Sequence, residues 1–349
     1  MVLFWLILGL LLFQALSGNG RSKIGLDAYE SFSTKSHFAI VEDLPKGASL
    51  FFGTVDGQAS VKVMSSKQLS SPFIVDGSRL LFVEATARPL PRFDLLELNV
   101  FGPAIWCNRL VSSDQYIGGP VVMTGKHASE IFFFSGRYNP ESSGNTVPRR
   151  HLASYRNGQV SIFSGPTFST VSRLSQIDED RFLGASYSFD LWNEDGTREL
   201  SDTDLMDNSW LAEGRIVDQF LEVKPAAIGR LKIEAVSEVT SNPEVDAVVV
   251  RSADFSEPGS RTKFKIIENS QIASAKSFLP PRKLDADTAF LDRDADGKLR
   301  IRIMTVDTEA ADRKNSAFIV DYVDGAPTNS RAIKLDAASV FDTKNCRAK

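Results

Sequence analysis

The chain has 349 residues, with 40 Lys plus Arg against 44 Asp plus Glu and a formal net charge of −4. With 42% apolar residues and 23 glycines it has the composition of a folded globular protein, which excludes disorder and collagen. Near-balanced charge without a Lys/Arg-rich block argues against nucleic acid as a partner, because that binding rests on clustered positive charge. Two cysteines (Cys107, Cys346) exclude a disulfide-dense scaffold and a Cys-rich zinc module. Three histidines (His37, His127, His151) leave little material for a His-based metal site, and His127 and His151 read as surface residues on loops.

Val2 to Phe13 reads VLFWLILGLLLF, followed by Gln14-Ala-Leu-Ser-Gly18. The run has the length of a signal-peptide core, and Ala15 and Ser17 are the small residues of a cut before Gly18. No Lys or Arg precedes it, so an uncleaved N-terminal membrane anchor stays open as the alternative. Either way the bulk of the chain is expected outside the cytoplasm, whether secreted, periplasmic or membrane-anchored. No asparagine is followed at the second position by Ser or Thr, which leans toward a bacterial envelope protein. The expected organisation is a signal or anchor at 1–17, a linker at 18–34, a β-rich domain at 35–340 and a tail at 341–349.

Beyond residue 25 short runs of β-branched and aromatic residues recur between turn residues, an all-β pattern. Phe38–Val41 with Ser49–Phe52 supplies a first hairpin. Phe73–Val75 and Arg79–Glu84 flank Asp76-Gly77-Ser78, and Val121–Met123 and Glu130–Ser135 flank Thr124-Gly125-Lys126; both turns offer the positive-φ residue a tight connection needs. Val171–Leu174 pairs with Arg181–Tyr187, and Val217–Val223 with Arg230–Val236. These four pairs start at 73, 121, 171 and 217, which implies a repeat of 46–50 residues. Thr288–Leu291 with Leu299–Val306, and Phe318–Val323 with Arg331–Leu335, follow. A period in the forties carrying several short strands predicts a β-propeller of five or six blades; two β-sandwiches with coincidental spacing are the competing reading.

Ser71 to Glu84 (SPFIVDGSRLLFVE), Gly118 to Met123 (GGPVVM) and Ile131 to Arg137 (IFFFSGR) resemble the blade-opening strands of five-bladed propellers in the arabinanase and furanosidase group of glycosidases. The first segment also resembles TolB-like propeller blades. The resemblance covers two blades and implies a propeller fold and a sugar ligand. In that group a catalytic aspartate commonly precedes the blade-opening proline, whereas here Ser71 precedes Pro72 and Gly119 precedes Pro120, so no catalytic residue carries over. A glycosidase needs two carboxyl groups about 5–9.5 Å apart. Asp114, Glu130, Asp178 and Asp190 stand near strand ends and none is singled out by a motif.

Asp292, Asp294 and Asp296, followed by Gly297, have the D-x-D-x-D-G form that wraps oxygen ligands around calcium. The twelfth position of an EF-hand loop would be Ile303 and the ninth is Arg300, so an Asp-Gly hairpin is the competing reading, and no cofactor other than calcium is suggested. Between Asp178 and Asp207 lie ten acids against two bases, flanked by Trp192 and Trp210. Carboxylates beside aromatic faces are what a sugar site uses, which makes Asp190, Trp192, Asp195 and Trp210 candidate ligand-binding residues; the alternative is a solvated pair of loops with the tryptophans in a core. In an oxidising compartment a bridge between Cys107 and Cys346 would tie down the tail; otherwise Cys107 is a buried thiol and Cys346 lies on a disordered tail. No G-x-S-x-G, P-loop, G-x-G-x-x-G or H-E-x-x-H motif occurs. The sequence thus predicts a non-catalytic extracytoplasmic propeller that binds an envelope glycan or protein, with a glycoside hydrolase on the same scaffold as the alternative.

Overall fold

The computed structural model describes residues 29–56, 58–86, 90–101, 104–136, 150–165, 174–187, 209–225, 236–242, 245, 247–254, 261–268, 276–278, 284–307 and 317–348. The predicted signal or anchor segment and most of the 18–34 linker lie outside these residues.

The strands form six antiparallel sheets, each a blade of a β-propeller. Blade 1 holds β1 (Tyr29–Ser33), β2 (His37–Leu44), β3 (Gly47–Thr54) and β4 (Gln58–Ser65), and blade 2 holds β5 (Gln68–Ile74), β6 (Arg79–Thr86), β7 (Arg92–Phe101) and β8 (Ala104–Ser113). Blade 3 follows with β9 (Tyr116–Val122), β10 (Ile131–Gly136), β11 (Arg150–Arg156) and β12 (Gln159–Ile162). Blade 4 is β13 (Ser175–Gln176), β14 (Arg181–Tyr187), β15 (Ser209–Val217) and β16 (Phe220–Pro225). Blade 5 is β17 (Val236–Asn242), β18 (Ala247–Asp254), β19 (Arg261–Glu268) and β20 (Lys276–Phe278). Blade 6 is β21 (Leu284–Arg293), β22 (Leu299–Asp307), β23 (Ala317–Val323) and β24 (Ala326–Ala332). The first strands are neighbours around the ring, β1 touching both β5 and β21.

Each blade is sandwiched between two others, so inner strands such as β6 and β10 are buried on both faces and read as apolar runs, while outer strands such as β12 and β24 are exposed. In β6, Leu80 and Phe82 pack with blade 1 while Leu81 and Val83 pack with blade 3. Phe132 to Phe134 do the same in β10, Phe133 toward blade 2 and its neighbours toward blade 4. β1 pairs with β2 along its whole length and belongs to blade 1.

The even repeat of the sequence is corrected. Blades begin at 29, 68, 116, 175, 236 and 284, at intervals of 39, 48, 59, 61 and 48 residues. Val217–Val223 is not a blade opening but the outermost hairpin of blade 4, turning at Asp218. A tight hairpin has one sequence pattern wherever it falls in a blade.

Antiparallel meandering places the connections at two ends. The lower end carries the first-to-second and third-to-fourth turns, including Asp76-Gly77-Ser78, Asn157-Gly158, Asp218 and Asp324-Gly325; all but the first of these contain a residue with positive φ. The upper end carries the second-to-third connections, which run through 137–149 in blade 3 and 188–208 in blade 4.

After β24 the chain returns to the start of the ring as a strap. β25 (Ser339–Asp342) pairs parallel with β4, and β26 (Arg347–Ala348) pairs parallel with β8. Thr343, between them, donates its hydroxyl to Glu84 at 2.6 Å. Glu84 also accepts from Ser65 Oγ and Lys67 Nζ, and it stands directly across from Asp94, another buried carboxylate, which Lys67, Arg92, Arg109 and Ser112 surround. A disulfide joins Cys107 of β8 to Cys346, 239 residues apart in sequence, so the tail is ordered and covalently fixed.

Candidate functional site

The candidate residues separate. Asp190, Trp192 and Asp195 fall in the 188–208 connection, outside the described residues, while Trp210 is the second residue of β15, in register with Ser186. Since Tyr187 and Ser209 end their strands at the upper end, that connection leaves and re-enters blade 4 there. The Asp292 segment is the β21–β22 turn at the lower end. Asp292 stands opposite Arg300, which holds both carboxylate oxygens, and Asp294 Oδ1 accepts the amides of Asp296 (3.0 Å) and Lys298 (2.8 Å). These three carboxylates are therefore spread along a hairpin, and among the described residues no group of three or more potential ligands could hold a metal ion. Arg300, out of place in a calcium loop, is the cation that neutralises Asp292.

At the upper end blade 3 builds a constellation from three adjacent strands. Tyr116 opens β9, Gly136 closes β10 and Arg150 opens β11, and all three share one cross-strand row. With no side chain on Gly136, Arg150 reaches across the middle strand and its guanidinium lies 3.9 Å from the Tyr116 ring centroid. Gly118 leaves room for the phenol along β9, and Phe93 of blade 2 meets the ring at 5.4 Å between centroids. Such a stack is worth about 2 kcal/mol when desolvated. Arg150 Nε is nonetheless buried with no hydrogen-bond partner, a deficit of about 1–3 kcal/mol.

Burial pushes the Arg150 guanidinium below its ordinary value, with Tyr116 opposing, and burial raises the Tyr116 hydroxyl, with Arg150 opposing and the Glu30 carboxylate adding to the rise. Glu30, on β1, accepts the amide of Ser71 from blade 2. Ser71 has a φ of 52° at a bulge before Pro72, and Gly119, with a φ of 58°, takes the same place before Pro120. The two X-Pro steps that the sequence singles out are thus backbone bulges in first strands. The upper end therefore presents a cation fixed on an aromatic plate and a carboxylate from a different blade, groups able to hold a polar ligand.

Gly118→Ala tests this packing, because a Cβ there would overlap the Tyr116 phenol. It is expected to displace the ring and Arg150 with it, at about 1–3 kcal/mol in urea unfolding. An unchanged midpoint with unchanged near-ultraviolet circular dichroism would show that the glycine is not needed.

A cleft of about 640 Å³ lies on blade 4, lined by Asp178, Asp180, Arg181, Glu213, Arg215, Glu222 and Val223. Three of its four acids are engaged: Arg181 Nε meets Asp178 at 2.6 Å and its NH1 reaches Glu213 at 3.4 Å, while Lys126 and Arg215 flank Asp180 at 3.2 and 3.6 Å. Burial acts to raise the Asp178 carboxyl, but hydrogen bonds from the Arg181 side chain and the Asp180 and Arg181 amides outweigh it and hold the group below its ordinary range. Glu130, another sequence candidate, pairs with His127 at 3.1 Å. These pairs read as turn chemistry.

Sequence reasoning missed Tyr116, Arg150 and Glu30, as well as the Glu84–Asp94 pair. The available signal for the first two was glycine at 118 and 136, inside the segments that carry the family resemblance.

No family model matches the chain, and no curated protein matches it in sequence. Among solved structures, a triple-arginine variant of AofleA from Arthrobotrys oligospora superposes with a TM-score of 0.51 at 11% identity, over 88% of this chain and 87% of that one. The apocarotenoid oxygenase of Synechocystis gives 0.47 at 10% identity, over 87% and 71% of the two chains. A prolyl endopeptidase gives 0.41 at 10% identity over 87% of this chain, which spans 42% of the length of that enzyme. At these identities the likeness is one of fold.

Proposed function

We propose that this propeller is a non-catalytic binding module for a glycan of the cell envelope, which it takes at its upper end. The observation that supports the reading is the Tyr116–Arg150 plate of blade 3, with the Glu30 carboxylate of blade 1 acting on Tyr116, at the end where β14 stops and β15 starts. Sugar recognition uses polar groups fixed on rigid strands together with aromatic faces. The Cys107–Cys346 disulfide supports the extracytoplasmic placement, since such bonds persist in oxidising compartments. An enzyme on the same scaffold would instead need two carboxyl groups facing each other across the bond. Glu84 and Asp94 do face each other, but both are buried, Glu84 bonded to Thr343 of the strap and Asp94 enclosed by Lys67, Arg92, Arg109 and Ser112.

Trp192→Ala and Trp210→Ala, made singly, test the rim. Loss of retention on envelope polysaccharide at an unchanged melting temperature supports stacking by these residues. A fall in stability of about 3–5 kcal/mol would instead place the tryptophan in packing. Retention of wild type on no glycan tested would overturn the reading, and turnover of a retained glycan would favour the enzyme.

A further inference from the structure

Among the described residues, four other half-buried or buried arginines set their Nε on a carboxylate. Arg79 Nε meets Glu97 at 2.6 Å, Arg181 Nε meets Asp178 at 2.6 Å, Arg300 Nε meets Asp292 at 2.7 Å and Arg302 Nε meets Asp321 at 2.7 Å. Arg109 Nε, the other buried one without a hydrogen bond, still has Asp94 at 3.4 Å. Arg150 departs from this pattern. Among the described residues it makes no ion pair, its Nε bonds to nothing, and its one close partner is the face of Tyr116. Guanidinium is a planar fork whose edges match a carboxylate, and stacking on an aromatic face leaves those edges free while fixing their plane.

We propose that Arg150, laid on Tyr116, is the receptor for one ligand carboxylate, so that the glycan carries a uronic acid among neutral sugars. The inference rests on the glycan reading and narrows it. The surroundings say why a single charge is expected. Glu30, a carboxylate of blade 1, acts on Tyr116 and so already sets a negative charge within electrostatic reach of the plate. A polyanion or a dianionic phosphate or sulfate meets repulsion there that one isolated carboxylate largely escapes. The glycines at 118 and 136 serve this arrangement, the first accommodating the phenol and the second letting the arginine cross its strand.

The test uses the full mature chain labelled with 15N, in which the Arg150 Nε–Hε signal is assigned by its loss in Arg150→Lys. D-glucuronate is expected to shift that signal saturably, and D-glucose and sulfate at equal concentration are expected to leave it in place. In calorimetry, a xylo-oligosaccharide bearing one glucuronic acid is expected to bind at least tenfold more tightly than its carboxyl-reduced counterpart, a margin that Arg150→Lys abolishes because a point charge cannot replace the fork. A signal indifferent to glucuronate, or equal binding of the two oligosaccharides, overturns the receptor. Equal binding that still depends on Trp192 leaves the glycan reading intact. A glucuronate shift without binding of any oligosaccharide supports the receptor and removes the glycan reading.

Discussion

Cys346→Ser is expected to lower the unfolding free energy by up to about 5 kcal/mol, the chain-entropy value for releasing a closure of this length, and the melting temperature by several degrees. The loss comes from the unfolded state, which gains the conformations that the 239-residue span between the cysteines denied it. It comes from the folded state as well, because β26 meets β8 over two residue pairs, whereas β25 has four along β4 and the Thr343 hydroxyl on Glu84. Wild type unfolded in a dithiol reductant should match the variant. If oxidised and reduced wild type unfold at the same denaturant concentration, the covalent strap contributes nothing and the noncovalent strands alone hold the tail.

Arg302→Met is expected to cost about 3–5 kcal/mol, because it strands a buried carboxylate. Arg302 is 4% exposed, meets Asp321 through two nitrogens at 2.7 and 3.2 Å, and donates a third bond to the Lys35 carbonyl at 2.7 Å. That last bond crosses from blade 6 to blade 1, where the ring meets its own beginning. Arg331, 3.6 Å from Asp321, offers partial compensation and places the expectation toward the lower figure. The double variant Arg302→Met with Asp321→Leu should recover much of the loss, since no charge is then left buried. Urea unfolding of the singles and the double closes the cycle. A single variant within about 1 kcal/mol of wild type would show that the pair is not what secures the seam.

The two ends of the ring differ in how much of them the sequence reveals. Lower-end turns are short and carry local chemistry: Asp76 takes the Ser78 amide at 2.8 Å, Asp294 those of Asp296 and Lys298, and Asp324-Gly325 has positive φ at both residues. Such turns are legible because their residues answer to their own backbone. Upper-end connections vary in length, from 45–46 between β2 and β3 to 188–208 between β14 and β15, and this inequality hid the blade period. The candidate site was illegible for a related reason. Tyr116 and Arg150 are 34 positions apart and meet because two strand pairings place both opposite Gly136, and register is a property of the assembled sheet. Glu84 and Asp94 likewise look like ordinary strand residues until β6 and β7 pair.

The strap also sets an order of events in the making of the protein. A chain is synthesised from its N-terminus, so Cys107 exists long before Cys346, and with two cysteines in the whole sequence it has no wrong intramolecular partner to choose. Blades 1 and 2 hold open outer edges until residues 339–348 arrive, when β25 and β26 cover β4 and β8. Closure of these two edges thus waits for residues 339–348, and a variant truncated before Ser339 carries open β4 and β8 edges and a free Cys107 thiol.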